Sequence, residues 1–189
     1  MTVSDQPQCD LPRLLIALMT PPDVERVANQ LIQSLSDRYH TRTARVAPHI
    51  TLQAAFRWSR DEMLALEQSL EEWVRGYSPF PIYLSGFGTF GKKVIYIQVK
   101  KSDELMTLQA NLARHLADTF EIIDPQSKRR SFTPHLTVAS RKLTPQIFAQ
   151  AWHYLQPYSV ECQYMADRLT VLRHDGRQWH IQKQLWFAS

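Results

Sequence analysis

An α+β fold, with antiparallel sheets lining a central groove and helices on the outside, is predicted by three features of this 189-residue chain. Amphipathic helical stretches alternate with short strand-like runs. Most of those runs sit close enough to one another for hairpin links, which suit antiparallel pairing. The succession strand, helix, strand, helix, hairpin is followed by helix, strand, helix and a strand meander, which reads as two related lobes. No linker or low-complexity segment interrupts it, so residues 1–189 are expected to form one bilobal domain, with 1–10 as a flexible leader.

Residues 11–19 are mostly apolar and bounded by Pro12 and by Pro21-Pro22, as suits a buried strand; Thr20 then caps a helix over 21–38. A second strand follows over 47–56. Ser59 caps a helix over 60–75 with an apolar stripe that includes Met63, Leu66, Leu70 and Val74, and Gly76 stops it. Residues 81–90 and 94–99 form a hairpin through Gly91-Lys92-Lys93, and Gly86-Phe87-Gly88 marks a bend or bulge in the first of those strands. Ser102 caps a helix to 120, a basic loop covers 126–131, and a strand runs over 132–139. Thr144-Pro145 opens a helix to 155, and three strands over 158–165, 168–172 and 179–187 close the chain, with His174-Asp175-Gly176-Arg177 as the last turn.

With 44% hydrophobic and 21% charged residues, the composition is that of an ordinary globular protein with a sizeable core. No apolar run reaches the roughly 18 residues of a membrane span, and residues 1–10 do not resemble a signal peptide, so a soluble, cytoplasmic protein, monomeric and without membrane contact, is expected. Cys9 and Cys162 are the two cysteines, which supports neither a disulfide framework nor a cysteine zinc site. The net charge of +4 is unevenly spread. Between Asp37 and Asp61 there is no acidic residue but five arginines, and between Asp124 and Glu161 again none, with Lys128-Arg129-Arg130, Arg141 and Lys142 present. Such windows suit a phosphate-bearing ligand.

Each window holds one copy of a motif: Pro48-His49-Ile50-Thr51-Leu52 and Pro134-His135-Leu136-Thr137-Val138. Along a strand side chains alternate between faces, so His49 and Thr51 share one face while Ile50 and Leu52 take the other, and His135 with Thr137 repeats this. The prolines are expected at the first position of each strand, where no ladder donor is lost. Opening a cyclic phosphodiester with water needs one group to take a proton and another to give one. Histidine, with an ordinary pKa near 6.5, suits both tasks. A threonine hydroxyl on the same face can donate to a phosphate oxygen as negative charge grows, and nothing in this chemistry calls for a metal or cofactor. The catalytic candidates are therefore His49, His135, Thr51 and Thr137. His40, His115, His153, His174 and His180 lack a repeated context and read as structural.

The paired motifs and the chain length resemble the two-histidine (2H) phosphoesterase superfamily, which includes the LigT-like RNA 2′,3′-cyclic phosphodiesterases, historically called 2′-5′ RNA ligases. The resemblance implies two lobes related by a pseudo-twofold axis, with both histidines in the cleft between them. It implies metal-independent hydrolysis of a 2′,3′-cyclic phosphate on an RNA 3′ end or a nucleoside to a 2′-phosphate, with His49 as the acid and His135 as the base. LigT-like members commonly carry an arginine five residues after the second histidine; here that position is Ser140 and the arginine is Arg141, which a bulge could turn toward phosphate. The first motif continues as Gln53-Ala54-Ala55-Phe56 rather than Phe-Leu-Gly, which leans toward a divergent branch.

For substrate binding the candidates are Arg141, Arg130 of the basic loop, and Phe56 and Tyr96 as stacking surfaces for a base. The same site chemistry also fits a cyclic ADP-ribose phosphate, a 2′-5′ oligonucleotide or RNA end joining, and a basic groove alone would make a non-catalytic RNA-binding module.

Overall fold

The computed structural model describes residues 11–125 and 131–188; the leader over 1–10, with Cys9, and the Lys128-Arg129-Arg130 run lie outside the described residues. In chain order the elements are β1 (Arg13–Met19), α1 (Pro22–Tyr39), β2 (His49–Arg57), α2 (Met63–Val74), β3 (Phe80–Phe90), β4 (Val94–Val99), α3 (Asp103–Phe120), β5 (His135–Ala139), α4 (Pro145–Leu155), β6 (Glu161–Ala166), β7 (Arg168–His174) and β8 (Trp179–Trp186). They form two antiparallel four-stranded sheets, in the orders β2-β1-β7-β8 and β5-β4-β3-β6. The α+β class with two antiparallel sheets follows the expectation.

Local chemistry accounts for most boundaries. Ser102 Oγ accepts from the amide of Leu105, and Thr144 Oγ1 from that of Ile147, so both helices start where a capping side chain was expected. In the β7–β8 turn, the Asp175 carboxylate accepts from the amides of Arg177 and Gln178, and Gly176 takes φ +98°, which a residue with a Cβ would resist. The Gly86-Phe87-Gly88 stretch carries a register shift between Leu84 and Phe87.

Two caps differ from expectation. Thr20 does not cap α1; its hydroxyl donates to the carbonyl of Pro48 at 3.1 Å, because that buried tertiary partner leaves the helix start to Pro21. Ser59 does not cap α2 either. It accepts from the amide of Asp61 in a local turn, and the helix begins only at Met63.

The three closing strands do not form one meander. β6 completes the second sheet beside β3, and Asp167 alone separates it from β7, which crosses to pair with β1. Burial explains the crossing: Leu169 and Val171 of β7 are fully buried, and β1 needs a partner on the side that β2 leaves open. The step is held by the amide of Phe187 donating to the Asp167 carbonyl and by Arg168 lying 4.2 Å over the Trp186 ring.

The helices link the lobes. α1, which precedes β2, packs against β5 of the other sheet, and α3, which precedes β5, packs against β2. Leu105, Leu108, Leu112 and Leu116 form the buried stripe of α3, each fully inaccessible; each stabilises the fold by about 1.5–3 kcal/mol through apolar burial. The loops after α1 and β5 also join, since the Arg42 amide donates to the Arg141 carbonyl and the Arg141 amide to the Arg42 carbonyl.

Candidate active site

The two motif strands hold the same place in their sheets. β2 and β5 are each an edge strand, and they lie against one another where the sheets meet. Both strands begin at the histidine itself, so Pro48 and Pro134 stand just before the ladder rather than at its first position. Within the motifs burial matches residue for residue: the proline is buried, the histidine half-buried, Ile50 and Leu136 buried, and the threonine half-buried.

Directly after each threonine the ladder is bulged. Ala17 pairs with Thr51 and Ile16 with Gln53, which leaves Leu52 as the extra residue; Tyr96 pairs with Thr137 and Ile95 with Ala139, which leaves Val138. Strict alternation thus holds from histidine to threonine and fails one residue later in both copies. The extra residue ends the regular face and increases the local twist of each strand.

The imidazoles are anchored alike. His49 Nδ1 donates to the carbonyl of Ala47 at 2.8 Å, and His135 Nδ1 to that of Thr133 at 2.7 Å. Since a carbonyl only accepts, Nδ1 carries the hydrogen in both neutral rings, and Nε2 is left with its lone pair for chemistry. Burial pushes the pKa of His49 below 6.5; its bond to Ala47 opposes the shift, and the charge of His135 lowers it further. Burial also lowers His135, against its bond to Thr133. The charge of His135 is the smallest of the three influences on His49.

Their walls differ. His135 has the Phe90 ring at 4.8 Å, edge-on, and the Tyr96 ring at 5.1 Å. Tyr96 lies across β3 at Gly88, where a Cβ would come within 2.4 Å of its ring. The missing Cβ at Gly88 gives the tyrosine ring room to lie in this position beside the histidine.

Thr51 and His135 border a cavity of about 830 Å³; His49 and Thr137 stand beside it on the same strands without bordering it. The substrate-binding candidates are not gathered there. Tyr96 is buried, 8% exposed, between Phe90 and His135, so its ring supports the histidine instead of offering an open face. Phe56 packs edge-on against Trp58 at the far end of β2. Arg141 is exposed at the loop that meets Arg42, away from the cavity lining, and the bulge at Val138 does not bring it in. Arg130 lies outside the described residues.

Sequence reasoning missed Gln53 and Gln109 as cavity residues. Gln53 had a readable signal: it follows His49 and Thr51 at the same two-residue spacing as the next polar side chain of the strand. Gln109 had a weaker one, as the polar member of a stripe with Ala113 and Ala117 at helical spacing.

Two antiparallel sheets whose edge strands lie against one another, each carrying a histidine and a threonine two residues apart, are the architecture of the two-histidine phosphoesterase class. The chain belongs to the 2′-5′ RNA ligase superfamily, whose family model it matches over residues 21–178. It is similar to a protein of Staphylococcus haemolyticus named as a phosphoesterase, 28% identical over 149 residues, 76% of this chain and 83% of that one. A Bacillus licheniformis protein of like name is 25% identical over 169 residues, 88% of this chain and 93% of its own. Among solved structures, E. coli LigT in complex with 3′-AMP superposes with a TM-score of 0.67 at 18% identity, covering 95% of this chain and 100% of LigT. A Thermus thermophilus protein superposes equally well, TM-score 0.67 at 18% identity, over 93% of this chain and 97% of that one. These likenesses establish the fold.

Proposed function

We propose that this protein is a metal-independent phosphodiesterase that opens a 2′,3′-cyclic phosphate, on a nucleoside or an RNA 3′ end, to a 2′-phosphate. His135 takes a proton from water through Nε2 as the water oxygen bonds to phosphorus. His49 gives its proton to the ribose 3′ oxygen as the phosphorus–oxygen bond breaks. Thr51 and Thr137 donate hydrogen bonds to the non-bridging oxygens, where charge accumulates. The observation that carries this reading is the matched anchoring of both rings through Nδ1, which points to Nε2 as the working nitrogen of each. That LigT, of the same fold, has been solved with 3′-AMP and with phosphate supports a nucleotide as the ligand class.

The test is turnover of nucleoside 2′,3′-cyclic phosphates in EDTA, with identification of the product isomer. His49→Ala and His135→Ala are each expected to lower kcat by about 10²-fold or more while leaving the circular dichroism spectrum intact. Full activity in either variant, or a strict need for added metal, refutes the proposal.

A further inference from the structure

The bond from His49 Nδ1 to the carbonyl of Ala47 closes a loop of chain that runs through Pro48. Most rotations along that loop are fixed by covalent geometry or by the sheet. The peptide bonds are planar, and the pyrrolidine ring locks φ of Pro48. Ladder pairing with Met19 sets the extended backbone at His49. The backbone rotation still open is ψ of Pro48, and turning it swings the Pro48 carbonyl. Thr20 holds that carbonyl with two donors, its hydroxyl at 3.1 Å and its own amide at 3.3 Å. A carbonyl oxygen has two lone pairs, so both are engaged. Thr20 is buried, which strengthens each bond by removing competing water.

The other lobe shows that ending a strand at this station does not call for a hydroxyl. Thr20 follows Met19, which pairs with His49; Val99 follows Gln98, which pairs with His135. Val99 is buried as well, and its side chain has no donor. Valine matches threonine in shape and differs from it in the hydroxyl. Beside Val99 the histidine is flanked by the rings of Phe90 and Tyr96, whereas beside Thr20 the support comes through the backbone.

We infer that Thr20 is a positioning residue for His49: its hydroxyl fixes the Pro48–His49 peptide, and through it the Nδ1 bond to Ala47 that aims Nε2. The catalytic consequence rests on the phosphodiesterase reading. Thr20 acts through Pro48 and not on the reacting atoms. Without the hydroxyl the peptide can turn, which weakens a bond that favours the protonated imidazole. His49 then gives up its proton more readily, while His135, anchored separately to Thr133, keeps its own behaviour. The charged group acting on His49 is His135, and the substitution leaves it in place.

The experiment follows the imidazole titrations of His49 and His135 by NMR in histidine-labelled protein, assigned with His49→Ala and His135→Ala, beside kcat and KM on adenosine 2′,3′-cyclic phosphate. Thr20→Val keeps the shape and the amide bond and removes the hydroxyl. Its His49 midpoint is expected to move to lower pH while that of His135 stays, with kcat down about tenfold and KM changed by no more than about twofold. Thr20→Ser keeps the hydroxyl and is expected to match the unaltered protein in both readouts. If the valine variant does not fold, Thr20→Ala is expected to move His49 in the same direction. An unmoved His49 midpoint, an equal shift of both histidines, an unchanged kcat, or a serine variant as impaired as the valine one overturns the inference. If the unaltered protein opens no cyclic ester, the phosphodiesterase reading falls on its own account, and the titrations decide whether Thr20 sets the His49 ring: a lowered midpoint in Thr20→Val supports it, and an unmoved one overturns it.

Discussion

In the proposed mechanism two ring nitrogens, Nε2 of His49 and Nε2 of His135, carry the chemistry, and the titration of their rings has a predictable sign. Both imidazoles have pKa values lowered from 6.5 by burial, so the folded protein holds these protons more weakly than the unfolded chain does. Stability from this source is complete above pH 6.5 and is lost as the pH falls from there through the lowered values. Denaturant melts across that range should show it, with a shallower pH dependence in His49→Ala. The same shift acts on the rate. A bell-shaped kcat/KM profile peaks midway between the two pKa values of the free enzyme, so its maximum is expected below pH 6.5; a maximum on the alkaline side would contradict the histidine pair.

A strand pair explains how one of those rings is aimed. β4 carries Tyr96 directly across from Thr137 of β5 and from Gly88 of β3; its ring lies over the bare backbone at Gly88, with its centroid 5.1 Å from that of His135. Adding a methyl at position 88 puts a Cβ 2.4 Å from that ring and forces it aside. Gly88→Ala is therefore expected to cost about 1–3 kcal/mol in urea denaturation, the usual penalty of overpacking, and to lower kcat more than it raises KM. A loss of stability with unchanged kcat would show that the tyrosine does not position the histidine. The twin bulges at Leu52 and Val138 are the other device at this level, and Gln109 of α3 satisfies the carbonyl of Leu52.

The molecule as a whole is tied together by connections that ignore chain order. β7 and β8 complete the sheet begun by β1 and β2, although the strands of the second sheet and α3 and α4 intervene. A chain cut after Ala166 would leave β1 without its inner partner and expose Leu14, Ile16 and Leu18, all essentially inaccessible in the intact protein. It is expected to lose the cooperative urea transition that the full chain shows; a cooperative melt of the shortened chain would mean that the first sheet is dispensable. The crossed packing of α1 on β5 and α3 on β2 has the same consequence for function, because the walls of the cleft come from both halves of the sequence.

The sequence by itself determined the α+β class, the placing of nearly every element, and the faces shared by His49 with Thr51 and by His135 with Thr137. These follow from helical and strand periodicity and from capping at Ser102 and Thr144, which act over a few residues. Tertiary structure alone decided that Tyr96 supports His135, that Phe56 and Arg141 lie away from the cavity, and that β7 returns to β1. Each depends on where a side chain or strand edge finds its partner across the fold. Thr20, turned to Pro48 instead of its own helix, shows why short-range rules cannot foresee that: a buried partner distant in sequence outweighs the nearer one.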